Sequence, residues 1–397
     1  MSRRRKLKKE DLFHKEPLIE DARSVARVDI DYPLDTEALD ALLSGMQAAA
    51  HEMNLIGAKR ARRMMGEVLV KQLRLANFLK TEPEIAATRI EKPIFLVGPP
   101  RSGTTFLHRL LAQDPAHRTP RLWEVMQPPP PTAEYRGDPD YFEKDSRVTI
   151  ARKFLEARAR FSPKMAAIHS TDVNAPEECF GLLETTLHSH SFLFVAPVFE
   201  YIDWLDTCSE ETWQAVYAMY ADQLRLLQWW NPGERWVLKT PFHMWAVDAL
   251  CKTFPDAIFV QQHRDPLACV ASFCSLTETA FATITTGISR ERIGQTALRY
   301  LRDALARNVA ARNANDPARF IDIPYTELVA DPLAAALRVY DAAGIEPTDE
   351  GVASMKAWLP EQAKSRGGKK HDYNLDDFGL SPEEIHEAFA PYAAFAK

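Results

Sequence analysis

The stretch Phe95 to Leu111, "FLVGPPRSGTTFLHRLL", constrains this chain more than any other. It begins as an apolar run without alternation, as a strand buried on both faces does. It turns through Gly98, Pro99 and Pro100 and ends on an amphipathic helical period. The spacing of Gly98 and Gly103 suits a loop that wraps an oxyanion. Glycines let the backbone approach closely, successive N–H groups point inward, and a helix N-terminus adds a favourable dipole. Arg101 supplies a rigid fork of donors, and Ser102, Thr104 and Thr105 supply hydroxyls. In a nucleotide kinase a lysine follows the second glycine and reaches the terminal phosphates, and the next Ser or Thr binds Mg²⁺. Here Thr104 stands in place of that lysine. The nearest acidic strand end is Asp265, and Arg264 precedes it.

The rest of the chain alternates strands with helices. "PIFLVG" (93–98), "RWVLKTP" (235–241), "AIFVQQHRD" (257–265) and "RFIDIPYTEL" (319–328) read as strands running into loops. "AVDALCKTF", "PLACVASFCSL" and "PLAAALRVYDAAGI" read as helices, the second opening on Pro266, where a missing N–H costs least. Such alternation predicts βαβ units and a parallel sheet with helices on both faces. Residues 35–85 carry a helical period and read as two helices, with Lys59, Arg60, Arg62 and Arg63 on a solvated face. Residues 115–230 form a helical, aromatic-rich insert between the first two strands. Residues 1–30, opening "MSRRRKLKKEDLFHKEP", read as a flexible basic tail, since no apolar h-region follows the basic start. One domain over 31–397 is expected.

Composition narrows the function. The chain has 397 residues, 46% of them hydrophobic, enough for a sizeable core. A net charge of −6 argues against a general nucleic-acid binder. No apolar run reaches the roughly 18 residues of a membrane helix. Five cysteines without a CxxC pair suit free thiols in a reducing cytoplasm. No HExxH, GxSxG or GxGxxG occurs, and the histidines lack carboxylate or cysteine partners at metal spacing, so no metal site is expected.

"FLVGPPRSGTTFLHRLL" resembles the 5′-phosphosulfate loop of the sulfotransferases that use 3′-phosphoadenosine 5′-phosphosulfate (PAPS) and release 3′,5′-diphosphoadenosine (PAP). The resemblance implies an α/β fold with a P-loop-type central parallel sheet, and transfer without a metal. The donor carries one 5′-phosphate with its sulfuryl group, so no β/γ tail needs a lysine and Mg²⁺. Its 3′-phosphate needs a second cationic site. In the family an arginine ending a strand and a serine on the next helix serve there, and 257–276 supplies Arg264 and Ser272 at that spacing. "IPYTELVADPL" matches the family's adenine-side turn and makes Tyr325 a candidate contact. The glycine-basic segment 364–379 is similar to the C-terminal stretch of the broad bacterial-type group. Of Lys364, Arg366, Lys369 and Lys370, Arg366 is favoured for the 3′-phosphate.

In-line sulfuryl transfer needs cations on the leaving phosphate and a base for the acceptor's proton. The resemblance assigns Arg101 and Lys239, in "WVLKTPFHMW", to the leaving group. The histidine that the cytosolic enzymes place two residues after that lysine is Pro241 here, which is closer to the tyrosyl-protein type. That type takes its base from a glutamate after the P-loop helix, and Glu124 lies in that place, slightly further along. Trp123 and the following prolines would desolvate it; an ion pair with Arg118 or Arg121 is the competing reading. Glu124 ranks first as base, His243 second, and Glu177 or Glu178 third. The expected activity is sulfuryl transfer to a hydroxyl or amine of a hydrophobic small molecule. Phe192, Phe194, Phe199, Tyr201, Trp204, Trp213, Tyr217 and Tyr220 are candidate pocket aromatics. A non-catalytic PAP-binding protein and a kinase-like phosphotransferase are the alternatives.

Overall fold

The structure, a computed structural model, describes residues 8–34, 36–130, 132–134, 136–138, 140–161, 163, 166, 171–365 and 374–392. Five parallel strands form one sheet in the order β2-β3-β1-β4-β5. They are β1 (Ile94–Val97), β2 (His117–Arg118), β3 (Arg235–Lys239), β4 (Ile258–His263) and β5 (Phe320–Pro324). The four long strands lie where the sequence places them. The two-residue β2 is too short to show a pattern; it exists because the insert lays His117 and Arg118 beside Arg235 and Trp236.

Side chains alternate across the sheet with period two, and this sorts the core into layers. Phe95, Val97, Leu238 and Phe259 face a large core built with α1 (Lys15–Ala26), α2 (Glu37–Ala49) and α3 (Leu55–Thr81). Ile94, Leu96, Val237, Val260, Ile321 and Ile323 face the other layer. There they meet Leu107, Leu110 and Leu111 of α4 (Thr104–Leu111) and Val339 of the helix Pro332–Ala343. The insert contributes α5 (Leu122–Met126), α6 (Phe180–Thr185) and α7 (Glu210–Trp230). After β4 come α8 (Pro266–Phe281) and α9 (Arg290–Ala314), and after β5 comes α10 (Tyr325–Ala330).

Residues 8–26 are not a flexible tail, which corrects that part of the sequence reading. Glu10–Phe13 is a 3₁₀ turn and α1 follows, with Leu12, Phe13, Leu18, Ala22 and Ala26 buried. The apolar positions of α1 recur every four residues and bury one stripe against α3, and this burial outweighs the charge around it. Of the eight candidate pocket aromatics, Phe192, Phe199, Tyr201, Trp213, Tyr217 and Tyr220 are buried in the core, and Phe194 and Trp204 are partly exposed. The five cysteines are free thiols, four of them buried. No helix among the described residues is long and apolar enough to cross a membrane.

Candidate active site

In an open α/β sheet ligands sit at the carboxyl ends of the strands, where the strand order reverses. β1 lies between β3 and β4, so its loop is at that point. Each neighbouring strand ends on a residue named from the sequence: Lys239 closes β3, Arg264 follows β4, and Tyr325 follows β5.

The loop after β1 is shaped by backbone that side chains tolerate poorly. Gly98 has φ +155° and Gly103 φ +97°. A Cβ on Gly103 would stand 2.7 Å from Leu328 Cδ2 and 3.3 Å from Tyr325 Cδ2. Arg101 is in the left-handed region at φ 70°, which costs on the order of 1 kcal/mol or more for a non-glycine. Ser102 is buried and ties the turn by donating to the Pro99 carbonyl at 2.8 Å, a structural use of its hydroxyl. Gly103 caps α4 without a side-chain acceptor. The N–H groups of Gly103, Thr104 and Thr105 have no acceptor among the described residues. They form a concave set of donors at a helix N-terminus, which is what an oxyanion needs.

Lys239 is 3% exposed, and register pairing sets it opposite Leu96 on β1, beside the loop. Its Nζ donates to Thr105 Oγ1 at 3.0 Å and forms an ion pair with Glu178. One ammonium thus joins the anion loop to a carboxylate. The Cys179 N–H donates to the Lys239 carbonyl at 3.0 Å, which fixes Glu178 against the end of β3.

Arg264 donates to the Arg101 carbonyl at 2.5 Å, and its guanidinium lies 4.2 Å from the centroid of the Tyr325 ring. Its rival partners are engaged elsewhere. Asp265 caps α8 by accepting from Leu267 N at 3.1 Å, and Asp256 accepts from Lys92 N at 2.8 Å. Ser272 lies about two turns along α8 and is buried. Arg366, Lys369 and Lys370 lie outside the described residues.

Two of the proposed bases are structural instead. Glu124 is buried, and both its oxygens are taken. Oε1 accepts from Arg118 at 2.6 Å and Oε2 from the Arg121 N–H at 2.9 Å, closing a cap on α5. Arg118 itself lies over Trp236 at 3.9 Å and donates to the Asn231 carbonyl at 2.7 Å. The ion-pair reading of Glu124 is therefore the one the geometry favours. His243 is sealed in the core, with Nε2 3.2 Å from Cys179 Sγ and Nδ1 2.9 Å from Tyr217 Oη. Burial pushes its pKa down to about 3, so it stays neutral and has no path to an acceptor. Glu177 is buried, and its Oε1 accepts from the Glu178 N–H at 2.9 Å. Glu178 keeps partial exposure, with 15% of its side chain accessible.

One element escaped the sequence reading. His263, beside Arg264, is held between Asp322 and Tyr392, each at 2.6 Å, and Arg312 grips Asp322 with two bonds at 2.7 Å. These residues come from β4, β5, α9 and the C-terminal segment, and no local pattern links them. The group braces the strand end that presents Arg264. Among the described residues no three His, Cys, Asp or Glu side chains are grouped to hold a metal.

The comparisons agree with this architecture. The sulfotransferase family model matches residues 93–350. The sulfotransferase STF1 of Mycobacterium tuberculosis superposes with a TM-score of 0.79 at 32% identity, covering 96% of this chain and 100% of that one. STF9 of Mycobacterium avium gives 0.83 at 26% identity, over 96% of both chains. The omega-hydroxy-beta-dihydromenaquinone-9 sulfotransferase Stf3 of Mycobacterium bovis is 23% identical over 301 residues, 74% of this chain and 71% of that protein. With a family match over more than half its length and a relative at 32% identity along nearly all of it, the chain belongs to the sulfotransferase family.

Proposed function

We propose that this sulfotransferase moves the sulfuryl group of PAPS to the hydroxyl of a lipophilic acceptor, with Glu178 taking the acceptor's proton. The observation that carries the reading is Lys239, whose ammonium bridges Thr105 of the anion loop and Glu178. In the reaction the acceptor oxygen forms a bond to sulfur as the sulfur–oxygen bond to the 5′-phosphate breaks. The electron pair of that bond leaves with the phosphate, giving PAP. The N–H groups of Gly103, Thr104 and Thr105, with Lys239 and Arg101, are the donors available to the developing phosphate charge. The acceptor's proton passes to the Glu178 carboxylate, which its bond to Lys239 orients beside the transferred group. Arg264 and Ser272 would hold the 3′-phosphate, and Tyr325, a partly exposed ring beneath Arg264, would meet the adenine. The reaction as written needs no metal.

The lipophilic acceptor rests on two supports. A relative is named for an omega-hydroxy dihydromenaquinone. The residue two positions beyond Thr240, Phe242, packs 6.3 Å from Phe194, which packs 5.8 Å from Phe273, the neighbour of Ser272. Of these three rings Phe242 and Phe273 are buried and Phe194 is partly exposed, so Phe194 is the one an acceptor would meet. Incubation with ³⁵S-labelled PAPS and a panel of long-chain, isoprenoid and phenolic alcohols tests the reading. Labelled product from a lipophilic alcohol and stoichiometric PAP support it. PAP release with no labelled organic product from any of them would overturn it.

A further inference from the structure

We propose that the first three turns of α3, together with Lys8 and Lys9, form a docking surface for an anionic lipid bilayer. The surface lies outside the transfer site and does not depend on the identity of donor or acceptor.

The helix opens on two aliphatic residues that the fold does not bury. Leu55 is 52% exposed and Ile56 74%. Their backbone is well held. Asn54 Oδ1 accepts from Gly57 N at 2.8 Å, Asn54 Nδ2 donates to the Thr283 carbonyl at 3.0 Å, and Thr286 N donates to the Glu52 carbonyl at 2.8 Å. The neighbouring loop 282–287 reads Ala-Thr-Ile-Thr-Thr-Gly and carries no charge. The helix thus starts in a firm tip that bears two aliphatic side chains beside an uncharged loop.

Cations follow on the same helical face. Positions 55, 56, 59, 62, 63 and 66 fall on one side of an α-helix. Lys59 and Arg63 are exposed on this face and Arg60 on its flank, and Lys59 and Arg60 have no ion-pair partner among the described residues. Between α1 and α3 lies a groove of about 300 Å³ lined by Leu18, Asp21, Lys59, Arg62, Arg63 and Gly66. It sets three cations against one carboxylate, and Asp21 is already held by Arg62 at 2.5 Å. Three further acids nearby are engaged: Glu52 with Arg292 at 3.1 Å, Glu67 with Arg63 at 3.5 Å, and Asp11 with the Lys8 N–H at 3.1 Å. Lys9 reaches the same tip, donating to the Met53 carbonyl at 2.5 Å.

A chain of net charge −6 gathers cations around exposed aliphatics at one end. Charge complementarity names the occupant. Aliphatic side chains enter the acyl boundary while flanking cations meet anionic headgroups, each cation adding affinity. A nucleic acid would satisfy the cations and leave Leu55 and Ile56 without a role. Lys9 and the basic residues of α3 acquire a shared direction only in the fold.

The test is co-sedimentation of the full chain with phosphatidylcholine vesicles, with and without about one-third phosphatidylglycerol, at low and high salt. Binding is expected to the anionic vesicles only, and to fall at least tenfold at high salt. Leu55→Ser/Ile56→Ser and Lys59→Glu/Arg60→Glu should each weaken it by about tenfold. All four positions are exposed, so unfolding midpoint and transfer to a water-soluble acceptor should stay at wild-type values. The wild-type lipid and salt dependence stands as a measurement that needs no variant. Equal binding to neutral vesicles, no binding, wild-type affinity in the Leu55→Ser/Ile56→Ser protein, or displacement of vesicles by RNA would overturn the proposal.

Discussion

Replacing Glu178 with glutamine separates the two readings of the base. The side chain keeps its size and keeps an oxygen to accept from Lys239, but it can no longer take a proton. Loss of general-base catalysis costs about 10²- to 10⁴-fold, or roughly 3–5 kcal/mol of barrier. Lys239 is 3% exposed and would lose its counter-charge, so its field would act more fully on the donor. Nucleotide affinity should therefore hold or improve while kcat falls. The assay is initial-rate transfer from PAPS, with PAP affinity measured in parallel by calorimetry. Glu124→Gln is the contrasting variant. It breaks a pair whose two side chains are 1% and 7% exposed, and leaves Arg118 buried without its partner charge. Such a loss costs about 3–5 kcal/mol of stability and should appear as a lower unfolding midpoint, with kcat per folded molecule kept. If Glu178→Gln stays within threefold of wild type while Glu124→Gln loses kcat at an unchanged midpoint, the assignment is wrong.

Arg264→Ala should weaken PAP binding about 10- to 100-fold, the worth of a charge-assisted contact, and unchanged calorimetric affinity would remove Arg264 from the 3′-phosphate site. Gly103→Ala should abolish nucleotide binding, because the residue holds φ +97° and the new methyl would stand 2.7 Å from Leu328 Cδ2; a PAP affinity equal to wild type would show that the loop is not the anion site. The buried histidines predict acid sensitivity. Burial holds His108, His190 and His243 each down to about 3. The unfolded chain takes up a proton at each near pH 6.5, and the folded core does not until about pH 3, so their contribution is full above pH 6.5 and is lost as pH falls. At pH 5 the loss is about 2 kcal/mol for each, readable in denaturant midpoints at pH 7 and pH 5; equal midpoints would mean these rings are not sealed from protons.

Much of the candidate anion loop was legible because it is local. Gly98, Arg101, Gly103 and the two threonines fall within eight residues, and their spacing alone dictates a strand, a tight turn and a helix N-terminus. The family resemblance picks out Lys239, Arg264 and Tyr325, and parallel strands bring their carboxyl ends to one edge. The carboxylates were a different matter. Glu124, Glu177 and Glu178 have the same side chain, and nothing within a few residues of each says which faces the loop. That depends on how the insert folds back. Arg118 enters β2, stacks on Trp236 and captures Glu124. The Cys179 N–H binds the Lys239 carbonyl and delivers Glu178 to the ammonium. His243 had the suitable intrinsic chemistry, but the core aromatics closed over it. The sequence by itself determined a glycine loop on a parallel sheet and the cations at the neighbouring strand ends, because turn geometry and strand direction are short-range properties. Only the tertiary structure decided which carboxylate meets the lysine, because burial and partner choice arise from segments the chain brings together across long separations.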